Sequence, residues 1–560
     1  MGKGKRSLSI NSFSRSLLDN GLLSTQKLEA LPSVLSTTSK TVGSIHLPNN
    51  SHCRWKTTSR KSYKEFQQTM EPAPFNIVIV TYLNILLLIL FGHLRDFFGK
   101  ICKPKAYAHL MLQNGMAPLL SDYDSFYTRR MYMRIRDCWN RPITGVAGRQ
   151  VHLLERYSPD YNKTFKISSV FGRLTGKVTE NLNFSSYNYL GFAQSSGPCA
   201  DDVELSTRQN GISHCNPRAE SGTSELHLEL ERTVARFVGK EAAMVVSMGF
   251  ATNSTTIPAL VNEGCLVISD ELNHSSIIFG VRLSGATVKT FKHNDMNHLR
   301  DVLKQAISKG QPRTHRRWKK ILVIVEGIYS MEATIVNLPE LIELKKKYKF
   351  YLYVDEAHSI GALGEHGGGV CDFYHIDPAE VDILMGTFTK SFGSAGGYIA
   401  ADKKIIDHLK LHNHAYNYAE PMSVPVTQQV ITSMKIVAGE DGTSEGAKRI
   451  EQLARNSAYF SARLREMGFI VYGDKGSPVV PLLLFQPAKI PLFSRELLKR
   501  GIAIVVVGYP ATPIAEARAR FCISAAHTKK DLDFALEAIS EVGDQIYLKM
   551  KKPQASKSTY

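Results

Sequence analysis

Five short apolar runs rich in β-branched residues recur through the middle of this 560-residue sequence: AAMVVSMG (242–249), CLVIS (265–269), ILVIVEG (321–327), YLYVDE (351–356) and ILMGTF (383–388). Longer amphipathic stretches such as LPELIELKKKYK separate them. Short apolar runs that do not alternate with polar residues read as strands covered on both faces, and helices from the intervening stretches would supply the cover. Sheets of this kind gather ligands at the carboxyl ends of their strands. After about residue 420 the texture changes to α+β. SPVVPLLLF, IAIVVVG and RARFCISAA read as strands of a smaller unit, closed by the helix KKDLDFALEAISEVGDQI. The expected fold class is α/β, with a large, mostly parallel-sheet domain over 181–420 and a smaller α+β domain over 421–548.

Upstream of the α/β pattern the chain is different. FNIVIVTYLNILLLILFG (75–92) carries no charge in eighteen positions. As a helix it spans about 27 Å, near the lower limit for a bilayer. It reads as a membrane anchor, spanning or lying in plane, and the basic amphipathic HLRDFFGKICKPK after it as an interfacial stretch; together they fill 72–105. Residues 106–180 are expected to form a linker or arm packed on the core. The net charge of +18 is uneven, since residues 1–70 hold 11 lysines and arginines against three acids, a balance of +8. That region and the tail KMKKPQASKSTY (549–560) are expected to be basic and disordered. No basic patch interleaved with aromatics stands out, so nucleic acid is not an expected partner. The eight cysteines are scattered without a CxxC or a Cys/His cluster, which argues against a disulfide scaffold and a structural zinc site and suits a reducing compartment; no metal is expected.

Several polar residues fall where the apolar runs end. Asp355 closes YLYVD and His358 follows three residues later; the bland alternatives are a helix N-cap and a surface histidine. His274 lies in SDELNHSS beyond another run. Lys390 stands in GTFTKSFGSAGG, between Thr389 and Ser391 and three residues after Thr387. A buried acid able to hold a proton on a pyridine nitrogen and a lysine able to form a Schiff base are what pyridoxal phosphate requires of a protein. Thr387 and Thr389 offer hydroxyls to a phosphate, and Gly249, followed by Phe250 in SMGFATN, allows the backbone to approach one closely. Each signal is weak alone; the ordered set, strand–Asp–x–x–His then strand–Thr–x–Thr–Lys, is strong.

From NFSSYNYLGFA (183–193) to SAAHTKKDLD (524–533) the chain resembles the α-oxoamine synthases. These are fold-type I pyridoxal phosphate transferases that condense an amino acid with an acyl-CoA and release carbon dioxide. LVISDELNHSS, GQPRTHRRWKKILVIVEGIYSMEA, DEAHSIGALG, DILMGTFTKSFGSAGGYIAAD and VVVGYPATP, with the hydrophobic segment, are most similar to the membrane-bound branch that joins L-serine to palmitoyl-CoA, the first step of sphingolipid synthesis. The resemblance implies Lys390 as the Schiff-base lysine, Asp355 on the pyridinium nitrogen, His358 on the phenolic oxygen and His274 stacked on the ring. Thr387, Thr389, Gly249 and Phe250 would complete the cofactor contacts. Arg520, or Arg518 two residues before it, would bind the substrate carboxylate, and Asn188 would reach the substrate.

It also implies a heterodimer with a related subunit 1 that lacks the lysine, contact with membrane lipid, and an endoplasmic reticulum address with the catalytic domain facing the cytosol. The alternatives are an α-oxoamine synthase using another amino acid, such as glycine or alanine, and a non-catalytic scaffold of the same fold. The chain departs from the family pattern at Ala333 and Met248, where glycine and serine are common, and at Gly368, where arginine is common.

Overall fold

The computed structural model describes residues 70, 73–112, 114–118, 120–167, 169–170, 173–174 and 177–551. The expectations of disorder for 1–70 and 549–560 lie outside the described residues, apart from Met70 and Lys549–Lys551.

Seven strands build the central sheet: β1 (Ala242–Val246), β2 (Leu266–Asp270), β3 (Thr287–Phe291), β4 (Ile321–Glu326), β5 (Tyr351–Asp355), β6 (Ile383–Thr387) and β7 (Gly397–Ala401). Their order is β3-β2-β4-β5-β6-β7-β1, with every neighbouring pair parallel except those made by β7, which is antiparallel to both β6 and β1. All five apolar runs are strands of this sheet. Alternate residues of one strand belong to different cores: Val323, Val325, Leu352 and Val354 face one, while Leu322, Ile324 and Tyr353 face the other. Both faces are therefore covered, as continuous apolar strands require. Two strands were not expected. In β3 the sequence TVKTF alternates in burial because the strand is at the sheet edge, and in β7 the small residues of GYIAA resemble a loop.

A second sheet orders Val479–Phe485, Ala517–Cys522 and Val505–Val507, all antiparallel. IAIVVVG, expected as one strand, divides. Ile502–Ala503 pairs with Leu182–Asn183 in a sheet that also holds Gln150–Leu154 and Ile143–Thr144, and Val505–Val507 pairs with Arg518–Arg520 of the second sheet. Residues before 184 are tied to the C-terminal part in this way, and Trp139 adds a bond from its Nε1 to the Val506 carbonyl at 2.8 Å.

The apolar segment forms the helix Phe75–Cys102. Its most apolar 18-residue window has mean hydropathy 2.4 and is only 11% buried. Asp96, near the far end, is buried against Arg129 and Arg130 of the helix Asp122–Arg130, and Lys100 bonds Asp122 at 2.6 Å.

Candidate active site

The carboxyl ends of β2, β4, β5 and β6 bring three acids and a lysine together. Asp355 ends β5 and is buried. Its Oδ2 accepts from Asn253 Nδ2 at 2.7 Å and its Oδ1 from the Ala357 backbone N–H at 2.9 Å. Tyr353 in turn donates to Asn253 Oδ1 at 2.7 Å, so the Asn253 amide is held from both sides. The second Asp355 bond is the local turn that a purely structural aspartate would make; the Asn253 bond comes from a residue 102 positions away and fixes the carboxylate's direction.

Lys390 follows the end of β6. Its stem is partly open, but its amine is enclosed, 5.6 Å above the Tyr187 ring. Burial brings its pKa down to about 8 against the attraction of Asp355 and Glu326. Lysines desolvated this way are the ones that act as nucleophiles and bases.

His358 is buried, with Nδ1 2.8 Å from the Tyr189 hydroxyl. Burial, then the charges of Lys390 and Arg520, holds its pKa well below the usual imidazole value, so the ring is neutral. The tautomer in which Tyr189 donates to Nδ1 leaves the ring proton on Nε2. His274 caps the helix Ser275–Leu283, its Nδ1 accepting the Ser276 backbone N–H at 3.2 Å, which places its proton on Nε2 as well. The residue is exposed at the mouth of the site, beside Phe250 at 6.3 Å between ring centroids. Loss of hydration lowers its pKa, Asp355 opposing and Lys390 and Arg520 reinforcing the shift.

The helix Gly249–Leu260 begins beside Thr387 with no side-chain cap on its first turn. A Cβ at Gly249 would stand 3.2 Å from Thr387 Cγ2 and 3.6 Å from the Gly396 carbonyl oxygen, so glycine permits this approach. Uncapped N–H groups and the Thr387 and Thr389 hydroxyls, 3.3 Å apart, converge here, an arrangement suited to an anion such as phosphate.

The two arginine candidates separate cleanly. Arg518 is fully buried and committed: it bonds the Met331 carbonyl at 2.9 Å, Glu332 at 3.3 Å and Glu516 at 3.0 Å. Arg520 bonds the Tyr187 hydroxyl, lies 4.9 Å over the Tyr187 ring, and has a buried Nε with no partner. A buried guanidinium nitrogen left unsatisfied is costly and marks a place for an acceptor. Asn188 is buried, its Oδ1 accepting from Ala193 N at 3.1 Å, which commits that oxygen to the turn.

Sequence reasoning overlooked Asn253, Tyr353, Tyr187, Tyr189 and Glu326. Tyr187, Tyr189 and Asn253 lie inside motifs quoted above, and Glu326 is the polar end of ILVIVE. The enclosed amine, the strand-end acid, the neutral histidines and the uncapped helix start form a donor set that fits pyridoxal phosphate.

A chain with this sheet and this lysine–aspartate pair is a pyridoxal phosphate enzyme of the aminotransferase fold. It belongs to the aminotransferase class I and II family, which it matches over residues 179–539. It is 54% identical over 484 residues to Serine palmitoyltransferase 2 of Schizosaccharomyces pombe, covering 86% of this chain and 79% of that protein. Among solved structures, Sphingomonas wittichii serine palmitoyltransferase is 25% identical with TM-score 0.67, over 77% of this chain and all but 1% of the other's length, 99%. A high-resolution structure of SPT with PLP as an internal aldimine is 26% identical with TM-score 0.61, over 67% of this chain and 90% of that one.

Proposed function

We propose that this chain is the catalytic subunit of a serine palmitoyltransferase. It joins L-serine to palmitoyl-CoA, releasing carbon dioxide and coenzyme A and leaving 3-ketosphinganine. The observation that carries the reading is the enclosed Lys390 amine, its pKa brought to about 8, set among Asp355, Glu326 and Arg520. The relatives' shared name supplies the substrates.

Lys390 would be joined to the aldehyde of pyridoxal phosphate, with Asp355 against the ring nitrogen and the Nε2 proton of His358 directed to the phenolic oxygen. Thr387, Thr389 and the backbone from Gly249 to Phe250 would hold the phosphate. Once bound, the cofactor supplies an electron sink for bond breaking at the serine α-carbon. Arg520, which has no acid partner among the described residues, takes the serine carboxylate on its guanidinium. His274, fixed by its own helix cap, presents Nε2–H beside that carboxylate and limits how the amino acid can turn. Asn188, its Oδ1 held by the Ala193 N–H, would meet the substrate through its amide nitrogen. The Lys390 amine, when free, would be the base placed to take the serine α-proton. A pKa near operating pH suits it both to accept that proton and to return one to the product after carbon dioxide has left. The Arg520–His274 pair would hold the amino acid by its carboxylate and so fix which of its α-carbon bonds is presented for breaking.

This reading uses the domain division given above and places the enzyme on the endoplasmic reticulum membrane, facing the cytosol, with Phe75–Cys102 in lipid and a related subunit 1 as partner. The exposed apolar helix supports the membrane assignment, and the long alkyl chain of the product gives it a purpose. The test is borohydride reduction followed by peptide mapping, then a serine and palmitoyl-CoA assay in membranes co-expressing subunit 1. A reduced adduct on Lys390 and serine-dependent product are expected. An adduct elsewhere, or none, would sink the reading.

A further inference from the structure

Glu326 ends β4 in register with Asp355 at the end of β5, so two carboxyl groups stand side by side at the floor of the site. It is buried, and among the described residues no arginine or lysine forms an ion pair with it. Its Oε1 accepts the backbone N–H of His274 at 2.5 Å. That bond joins the end of β4 to the turn after β2, at the residue whose ring leaves the chain toward the site. The groups facing Glu326 are Asp355, Asp270, Lys390, the Tyr329 phenol and the His274 amide. Burial, then Asp355, pushes its carboxyl well above the ordinary carboxylate range, with the His274 amide and Lys390 opposing.

We propose that Glu326 is a positioning residue: its bond to the His274 amide sets where the His274 ring stands over the amino-acid substrate. The proposal rests on the function assigned above, in which His274 meets serine. A second anchor for this ring is needed on physical grounds. The cap bond from Ser276 fixes the ring relative to its own helix, but only a bond from outside that helix fixes the turn relative to Asp355 and Lys390. The neighbouring Asn273 is tied to the same strand, its Nδ2 donating to the Ile324 carbonyl at 2.8 Å. The turn is therefore held to β4 at two successive residues, and the second of these bonds comes from the side chain nearest the chemistry.

The test uses the full-length chain purified with its membrane partners, in the forms wild type, E326Q, E326A, H274A and E326A/H274A. L-serine affinity is read from the serine-dependent change in the Lys390-dependent absorbance band. Because displacements of a reacting group by about 1 Å are felt strongly, E326A should weaken L-serine binding about tenfold with the KM for palmitoyl-CoA unchanged. E326Q, which keeps a neutral acceptor of the same length, should restore serine affinity. In the H274A background, E326A should add less than about a twofold effect, the mark of two residues acting as one. If E326A does not fold, E326D, one methylene shorter, carries the same expectation. An E326A or E326D enzyme that keeps the band and binds serine like wild type would overturn the inference, as would independent, multiplying effects of E326A and H274A. A wild-type protein without the band would instead overturn the functional reading beneath it.

Discussion

Lys390 and the two arginines show how far single residues can be judged. An amine attacks an aldehyde only when unprotonated, so the rate at which cofactor-free protein takes up pyridoxal phosphate follows the free-amine fraction. With its pKa brought to about 8, Lys390 should give an uptake rate that climbs through pH 8 and levels above it, where an ordinary lysine would still be climbing past pH 10. Stopped-flow absorbance of reconstitution measures this, and a midpoint near 10 would contradict the enclosed amine. The arginines should part company on mutation. R518M leaves Glu332 buried without its cation and should lower stability by about 3 kcal/mol, read as a fall in melting temperature. R520Q should melt near wild type yet raise the KM for serine about a hundredfold, the loss of a charge-assisted carboxylate contact. The resemblance put Arg520 first but left Arg518 on the same strand face as the alternative, because what separates them is Glu332, which reaches Arg518 from 186 residues away, while Glu516 two residues before it completes the commitment. Ala333 shows a related limit. It sits at φ 59°, where glycine is freer, yet its methyl is completely buried. A left-handed alanine costs about 1–2 kcal/mol, while glycine's extra chain entropy and the lost burial of one methyl offset most of that, so alanine is tolerated here.

At the scale of elements, the site is a meeting of strand ends with one uncapped helix, and its legibility follows from that. Strands covered on both faces have an unmistakable composition, so β1, β2, β4, β5 and β6 were readable, together with Asp355 and Thr387 at the ends of β5 and β6, although Glu326 at the end of β4 was passed over. The edge strand β3 and the small-residue strand β7 lack that signature. The split of IAIVVVG between two sheets is invisible in a uniform apolar run, since only the partners Leu182 and Arg520 decide where it breaks. Asn253, Tyr353 and Tyr189 were hidden for the same reason: their roles are hydrogen bonds across long separations, and a sequence shows the donor without its acceptor. The helix start at Gly249 was readable because it depends on the residue being small. Valine there would push branched carbons against Thr387, whose Cγ2 leaves only 3.2 Å for a Cβ. G249V should therefore weaken pyridoxal phosphate retention at least tenfold, about 1.4 kcal/mol, measured by equilibrium dialysis of the cofactor. Retention equal to wild type would remove the phosphate from this helix.

The whole molecule combines an enclosed catalytic body with a helix that is bare along most of its length. Leu86 is 62% exposed, Leu90 53% and Phe91 62%, within a contiguous apolar surface far larger than soluble proteins leave to water. The far end of the same helix is fastened to the body through Asp96, Arg129 and Arg130, with the acid almost wholly buried between the two guanidinium groups. On the function proposed above, lipid would cover this surface and the fastening would keep the catalytic body close to it. Polar replacement in the bare part should therefore change where the protein resides without changing what its site can bind. An aspartate near the centre of a membrane helix costs about 3 kcal/mol on insertion, so L86D/L90D should cost about 6 kcal/mol, some four powers of ten in partitioning. Carbonate-washed membranes should retain the wild-type chain and lose the double variant to the soluble fraction. The Lys390-dependent absorbance should survive in the released protein, because neither leucine touches the core that holds the strand ends. A double variant that stays in washed membranes would show that contacts elsewhere, and not this helix, hold the enzyme to lipid.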